Sequence, residues 1–364
     1  MNSTTEPQQS KPYHVPYHVL IHKDTYDKAN TYRTALAANK VTAGRYVAQQ
    51  LDNPSVTTAE FLETLINTKK PQIFAETAVF GDGSDWNQTE LALLGDIAIA
   101  VPVTVYDNGL HYQPVIHDEP FSATLLYVPG ALLRNGRGHT PADWEAVVTD
   151  GQIDAEKFYT LYERRLLPSF LYANEVAQSH HKQAFITMPG LGCGQFAGKF
   201  QGQLGAELGR MLTRFLHQYQ ARLPHIKAVY YDPYQECANN RSEIGHLSLL
   251  VRPLTHGNQN KPQLCPPTSY EEDGDDFSNC DLFSFVAWDH VSWPGNDFYI
   301  GSRATDDGVK AAATSSMTAM TGVNGRYNPT TFTYDPPPTY GNWDAVVKTH
   351  RLRIDVSADN LSVF

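Results

Sequence analysis

One stretch near the middle of the chain restricts the fold more than any other. Gln183–Met188 is a short apolar run of strand character. It runs into Pro189-Gly190-Leu191-Gly192-Cys193-Gly194-Gln195-Phe196-Ala197-Gly198, a glycine-rich loop. Leu204, Leu208, Met211, Leu212, Phe215, Leu216 and Tyr219 then recur on one helical face, with Arg210, Arg214, Gln218 and Arg222 on the other. Ile226–Tyr231 is a second apolar run, closed by Asp232-Pro233. A strand–loop–helix–strand order of this kind predicts two parallel strands joined by a right-handed crossover. The chain is therefore expected to fold as an α/β protein.

Other segments fit such a sheet. Ile97–Tyr106, Ser122–Val128, His246–Val251 and Leu282–Trp288 read as strands. Residues 25–52, 57–68, 141–178 and 308–320 read as helices, with a break at Asp52-Asn53-Pro54. Val346–Val356 reads as a last strand and 324–343 as loop. Residues 1–72 look like a helical addition to a main domain spanning 73–364.

Composition narrows the function. The net charge is −11 and there is no Lys/Arg stripe, which argues against a nucleic-acid partner. No apolar run reaches the ~18 residues of a membrane span. The start, Met1 to Pro7, lacks the basic and apolar regions of a cleaved leader. Cys193, Cys237, Cys265 and Cys280 are widely spaced, so neither a zinc knuckle nor a disulfide framework is expected. His14, His18 and His22 recur every fourth residue, but Pro16 interrupts them, and no metal site is expected there.

Glycines between a strand and a helix expose main-chain N–H groups at the positive end of a helix, where a phosphate can approach closely. Gly190, Gly192 and Gly194 alternate, followed by Gln195 and Phe196, and a diphosphate is the natural guest. Gly192-x-Gly194-x-x-Ala197 also satisfies the dinucleotide pattern G-x-G-x-x-G/A, with Asp232 as the ribose-binding acid, although the gap exceeds ~20 residues. A third reading makes the glycines a tight turn and nothing more. Cys193 inside this loop is read as a small loop residue rather than a nucleophile, since no matching His is evident.

A second cluster follows the strand ending at Trp288. Asp289, Asn296, Asp297 and Tyr299 follow within Asp289–Tyr299, and Asp306, Asp307 and Gly308 come next. Carboxylates beside large aromatics tend to have perturbed pKa values, which suits acid–base work. Cleavage of an N-glycosidic bond passes through an oxocarbenium-like sugar that a carboxylate stabilises, while a carboxylate also orients the attacking water. The plainer alternative is a solvated loop in which Asp306 or Asp307 caps the next helix.

Together these two stretches resemble the macrodomain superfamily. The Gly190–Gly198 loop looks like its phosphate loop. Pro294-Gly295-Asn296-Asp297 with Asp306-Asp307-Gly308 looks like the stretch that wraps the distal ribose. The resemblance implies a three-layer α/β/α mixed sheet, diverged or permuted because the two loops come in reversed order. The trio Asp289, Asp297 and Asp307 is similar in spacing to the acidic site of a bacterial macrodomain effector that removes ADP-ribose from arginine on ubiquitin. That likeness implies catalytic roles for Asp297 and Asp307, with Asp289 in support. It also implies ADP-ribose contacts by Gly190, Gly192, Cys193, Gly194, Gln195, Phe196, Gly295, Asn296, Tyr299 and Asp306. It further implies ADP-ribose as ligand or product, no required cofactor, and ADP-ribosylated ubiquitin and a host ubiquitin-pathway enzyme as partners in the host cytosol. A non-catalytic ADP-ribose reader and an NAD-dependent oxidoreductase are the rival readings. Asp96 in Gly95-Asp96-Ile97 echoes an adenine-holding acid of the same superfamily.

Overall fold

The computed structural model describes residues 16–51 and 56–364. His14, the polar start of the chain and the whole expected break at Asp52–Pro54 lie outside the described residues.

The chain opens with β1 (His18–Ile21), followed by helices α1 (Lys23–Ala37), α2 (Arg45–Ala48), α3 (Thr58–Ile66), α4 (Ala75–Ala78) and α5 (Gln88–Gly95). Two long strands come next, β2 (Ile97–Asp107) and β3 (Ile116–Pro129). A short helix α6 (Trp144–Val147) and the two-residue strands β4 (Val148–Thr149) and β5 (Gln152–Ile153) lead into α7 (Ala155–Ser179). β6 (Gln183–Pro189), α8 (Leu204–Tyr219) and β7 (Ile226–Asp232) form the expected central unit. Then come β8 (Asn240–Ile244), β9 (Leu247–Val251) and β10 (Cys280–Trp288). The last part holds α9 (Asp306–Ala312), α10 (Ser316–Thr321), the hairpin β11 (Arg326–Asn328) and β12 (Thr333–Asp335), α11 (Trp343–His350) and β13 (Leu361–Val363).

Nine strands form one mixed sheet in the order β13-β1-β2-β3-β10-β6-β7-β9-β8. β3, β10, β6, β7 and β9 run parallel. Successive strand residues face opposite sides of a sheet, and here both sides are apolar. Leu126, Val128, Ile186, Met188, Val229 and Phe285 pack with α7 and α8. Leu125, Tyr127, Phe185, Tyr230 and Val286 share a core with residues of α1, α3, α5 and the C-terminal helices. The result is the three-layer α/β/α arrangement.

The position of β10 decides where a ligand can sit. The β3–α7–β6 crossover leaves a gap in the sheet, and β10 fills it from late in the chain. The loop after β10 thus lies beside the loop after β6, at the carboxyl ends of parallel strands. In open α/β sheets that edge is where crevices form.

Three expectations need correction. The helix expected over 141–178 is interrupted: Asp150 and Gly151 take positive φ between β4 and β5, and α7 starts afresh where the Asp154 carboxylate caps the amides of Glu156 and Lys157. Val346–Val356 is not a strand. The Asn342 side chain accepts from the Ala345 N–H and starts α11, whose Val346 and Val347 pack inward. Residues before 72 are largely helical, but the expected 25–52 helix divides into α1 and α2 around 38–44, a strand precedes it, and the packing of the whole segment is continuous with the rest. β1 pairs with β2, and the Tyr32 hydroxyl donates to Glu90 Oε1 at 2.9 Å.

Candidate functional site

Three segments converge at the carboxyl edge of the sheet. The first is the loop after β6. The second is the loop after β10. The third, residues 69–76, runs alongside the second: the Lys70 N–H donates to Val291 O at 2.8 Å and the Trp293 N–H to Lys70 O at 2.7 Å. The Ile73 N–H donates to Asn296 Oδ1 at 3.0 Å and the Ala75 N–H to Asp289 Oδ2 at 2.7 Å. The site therefore takes a wall from a segment that straddles residue 72.

Between them lies a cavity of about 780 Å³, within the range of small-molecule sites. Gly190, Gly192, Cys193, Gly194, Gln195 and Phe196 line it, and so do Asp289, Asn296, Asp306 and Asp307. The glycine loop and the acids thus share one cleft. Gly295, Asp297 and Tyr299 are not among the lining residues.

The glycine loop is held against the end of β3. A Cβ on Gly130 would lie 2.1 Å from the Gly192 N. A Cβ on Gly192, whose φ is +73°, would lie 2.7 Å from the Ala131 N. The Tyr162 hydroxyl pins the contact, donating to Leu191 O at 2.6 Å and accepting from the Ala131 N–H at 3.0 Å. Gly194 is different: a Cβ there meets nothing within 4 Å, so its face is open to the cavity side. A six-residue 3-10 segment, Gln195–Phe200, separates the glycines from α8. The dinucleotide pattern needs the helix to open directly at the glycines, so the oxidoreductase reading loses its structural frame. Cys193 is half-buried, and desolvation pushes its thiol well above the usual range, which is unsuited to a nucleophile.

The acids differ in what holds them. Asp307 is 2% exposed; its Oδ1 accepts from the Gly295 N–H at 2.6 Å, and its Oδ2 has no partner. Burial, followed by repulsion from Asp297, Asp306 and Asp289, raises its pKa far above the ordinary carboxylate value. Asp289 accepts from Ala75 and Val291 amides, and burial again raises it. Lys69 is the nearby cation. Its Nζ donates to His290 O at 2.6 Å and stands 3.9 Å over the Trp288 ring, and burial lowers its pKa while Asp289 and Asp307 oppose that fall. Asp306 accepts from the Ala287 N–H at 2.8 Å and pairs with Lys310.

Asp297 sits one layer behind. Its carboxylate accepts from the Ala304 N–H at 2.9 Å, the Thr305 N–H at 3.3 Å and the Thr305 hydroxyl. It ties down the turn that delivers Asp306 and Asp307, and a Cβ on Gly308 would lie 2.0 Å from its Oδ1. Thr305, not Asp306 or Asp307, is the N-cap of α9. Tyr299 is fully buried against Trp293, away from the cleft. Gly295 contributes its amide to Asp307 and a left-handed turn, φ +101°, that places Asn296. Asp96 does not line the cleft; Arg164 and Arg165 grip it.

Sequence reasoning missed Glu76, Lys69 and Lys310. Lys69 read only as the end of a helix. Lys310 lines the cavity and is i+4 from Asp306, a spacing that marks a helical ion pair. Glu76 carried no motif at all. Among the described residues no group of three or more His, Cys, Asp or Glu is arranged to hold a metal ion, and no helix is long and apolar enough to cross a membrane.

The family model described as macrodomain effector MavL matches residues 17–340. The chain belongs to the MavL macrodomain effector family. Membership makes it an ADP-ribose-binding, hydrolase-like macrodomain of a bacterial effector. The match begins at β1, so the helices before residue 72 fall within the MavL pattern. Comparison with curated proteins gives no match.

Proposed function

We propose that this protein is an ADP-ribosylhydrolase that cleaves the N-glycosidic bond between ADP-ribose and an arginine of a modified protein, ubiquitin being the expected target. The observation that carries this reading is the shared cavity: an open glycine loop at one wall and buried carboxyls Asp289 and Asp307 at another. ADP-ribose has its diphosphate between two riboses. With the diphosphate on the amides of Gly194, Gln195 and Phe196, the distal ribose reaches Asn296 and the acids.

The chemistry then follows from how each acid is held. Asp289 has both oxygens oriented by main-chain donors, so it accepts the proton of the attacking water. Asp307, kept neutral by burial, donates a hydrogen bond to a ribose oxygen and fixes the sugar. The bond from the anomeric carbon to the arginine nitrogen breaks as the bond to the water oxygen forms. The proton taken from water passes to the guanidine, which leaves as guanidinium. No step calls for a cofactor. A host ubiquitin-pathway enzyme as partner, and the host cytosol as the place of action, complete the proposal.

The test is calorimetry with ADP-ribose, NAD and ATP in parallel, followed by mass spectrometry of arginine-ADP-ribosylated ubiquitin after incubation. Tightest binding of ADP-ribose with loss of the ADP-ribosyl mass is expected. ADP-ribose binding with no mass loss on any arginine-linked substrate makes the protein a reader instead.

A further inference from the structure

A third carboxyl belongs to this cleft. Glu76 lies on α4, one residue past the amide that holds Asp289, and it lines the cavity. It is 9% exposed, yet its Oε2 has no hydrogen-bond partner. Leaving a buried carboxyl oxygen unpaired is costly, so the arrangement is a site waiting for a donor.

The charges around Glu76 indicate which donor. Asp289 lines the same cavity, and its Oδ2 accepts from the N–H of Ala75, the residue next to Glu76. Asp307 lines the same cavity, with its Oδ2 unpaired. The buried cation Lys69 acts on Asp289 and Asp307. Arg134 is the cation that Glu76 feels, but its guanidinium is hydrogen-bonded to Gln195 Oε1 at the surface. Burial favours the neutral form of Glu76, and a further planar cation with several N–H donors would satisfy Oε2 and favour the carboxylate. A guanidinium has that shape and charge, whereas an ester- or ether-linked group brings neither positive charge nor N–H donors.

We propose that Glu76 is a specificity residue that receives the guanidinium of the ADP-ribosylated arginine, through the unpaired Oε2 at the acidic end of the cleft. This deepens the hydrolase reading and rests on it for the identity of the leaving group. It does not rest on it for guanidinium binding.

The experiment separates the two. Methylguanidinium is titrated by calorimetry into the full chain saturated with ADP-ribose, for wild type and Glu76→Gln. Wild type binds it, and Glu76→Gln weakens that binding by about tenfold or more, the loss of one charge-assisted hydrogen bond. In turnover, kcat/KM for an arginine-linked substrate falls by a similar factor relative to a glutamate-ester-linked one. Equal methylguanidinium affinity in the two proteins overturns the assignment, whatever the hydrolysis shows. Guanidinium binding through Glu76 without release of ADP-ribose sinks the hydrolase reading and leaves Glu76 standing. If Glu76→Gln does not fold, the wild-type side-chain carboxyl carbon resonance of Glu76 is followed by NMR instead. It shifts on adding methylguanidinium, and an unmoved signal overturns the proposal.

Discussion

Gly192→Ala tests whether the loop after β6 works as a rigid phosphate cradle. The glycine sits at φ +73°, where an L side chain is strained by about 1–2 kcal/mol. The new methyl would meet the Ala131 N at 2.7 Å, the Tyr162 hydroxyl at 2.9 Å and the Ala131 O at 3.0 Å. Two of these atoms are backbone and the third is pinned by its own hydrogen bonds, so the loop must move away from β3. Forced overpacking of this kind adds about 1–3 kcal/mol. The unfolding free energy should fall by about 2–5 kcal/mol in urea, with little change in m. Displaced amides also lose their aim at the diphosphate. Losing two charge-assisted bonds, each about 1.5–3 kcal/mol, weakens ADP-ribose by at least about a hundredfold in calorimetry. Gly194→Ala is the partner measurement. Its methyl meets no protein atom within 4 Å, so it should disturb stability less while still obstructing the phosphate. Unchanged ADP-ribose affinity in both variants would refute the cradle.

Asp307→Asn should stabilise the fold and, because the amide is also a neutral donor to the ribose, keep far more turnover than Asp307→Ala. The folded state keeps a proton on this carboxyl that the unfolded chain releases above about pH 4, so wild-type stability declines as pH rises, by at most about 1.4 kcal/mol per unit from this group. The amide keeps the acceptor for Gly295, and its stability gain should grow from pH 5 to pH 8 in thermal melts; a constant or negative difference contradicts a buried neutral Asp307. Tyr162→Phe leaves the buried Ala131 N–H and Leu191 carbonyl without their partner, a cost of about 2–4 kcal/mol in urea with weaker ADP-ribose binding. Asp297→Ala, as removal of a positioning residue, should lower kcat and stability together, with Asp297→Asn restoring part of both; a lost kcat with intact stability would place Asp297 in contact with substrate instead.

The central unit was legible because its signals are local and mutually consistent. Leu204 to Leu216 fall on one face at helical spacing, and they are buried as α8. Val346 and Val347 misled because β-branched residues favour strands, while the Asn342 cap that overrides them is a single side-chain hydrogen bond. β13 is a short edge strand and β1 its short neighbour, and what fixes β13 is pairing across nearly the whole chain, Val19 with Leu361, which no window of sequence contains. At the site, Asp289 and Asp307 announced themselves by clustering. Asp297 belongs to the same cluster, yet its three donors turn it toward the backbone. Sequence spacing records proximity along the chain and not which way a carboxylate points.

The late arrival of β10 explains how such a site is held together. Asp289 follows β10 directly, but its oxygens are set by amides of residues 75 and 291, and Asp307 is set by the amide of Gly295. The acids are thus oriented by main-chain donors from a segment more than two hundred residues upstream and from their own loop. Neither segment buries those groups alone. Docking 69–76 against 289–296 excludes water from the acids, and that exclusion raises their pKa values. Folding and activation of the carboxyls are therefore one event. A substitution that loosens the Lys70–Val291 and Lys70–Trp293 pairing, without touching an acid, should return Asp289 and Asp307 toward ordinary carboxylates and disable the chemistry from a distance.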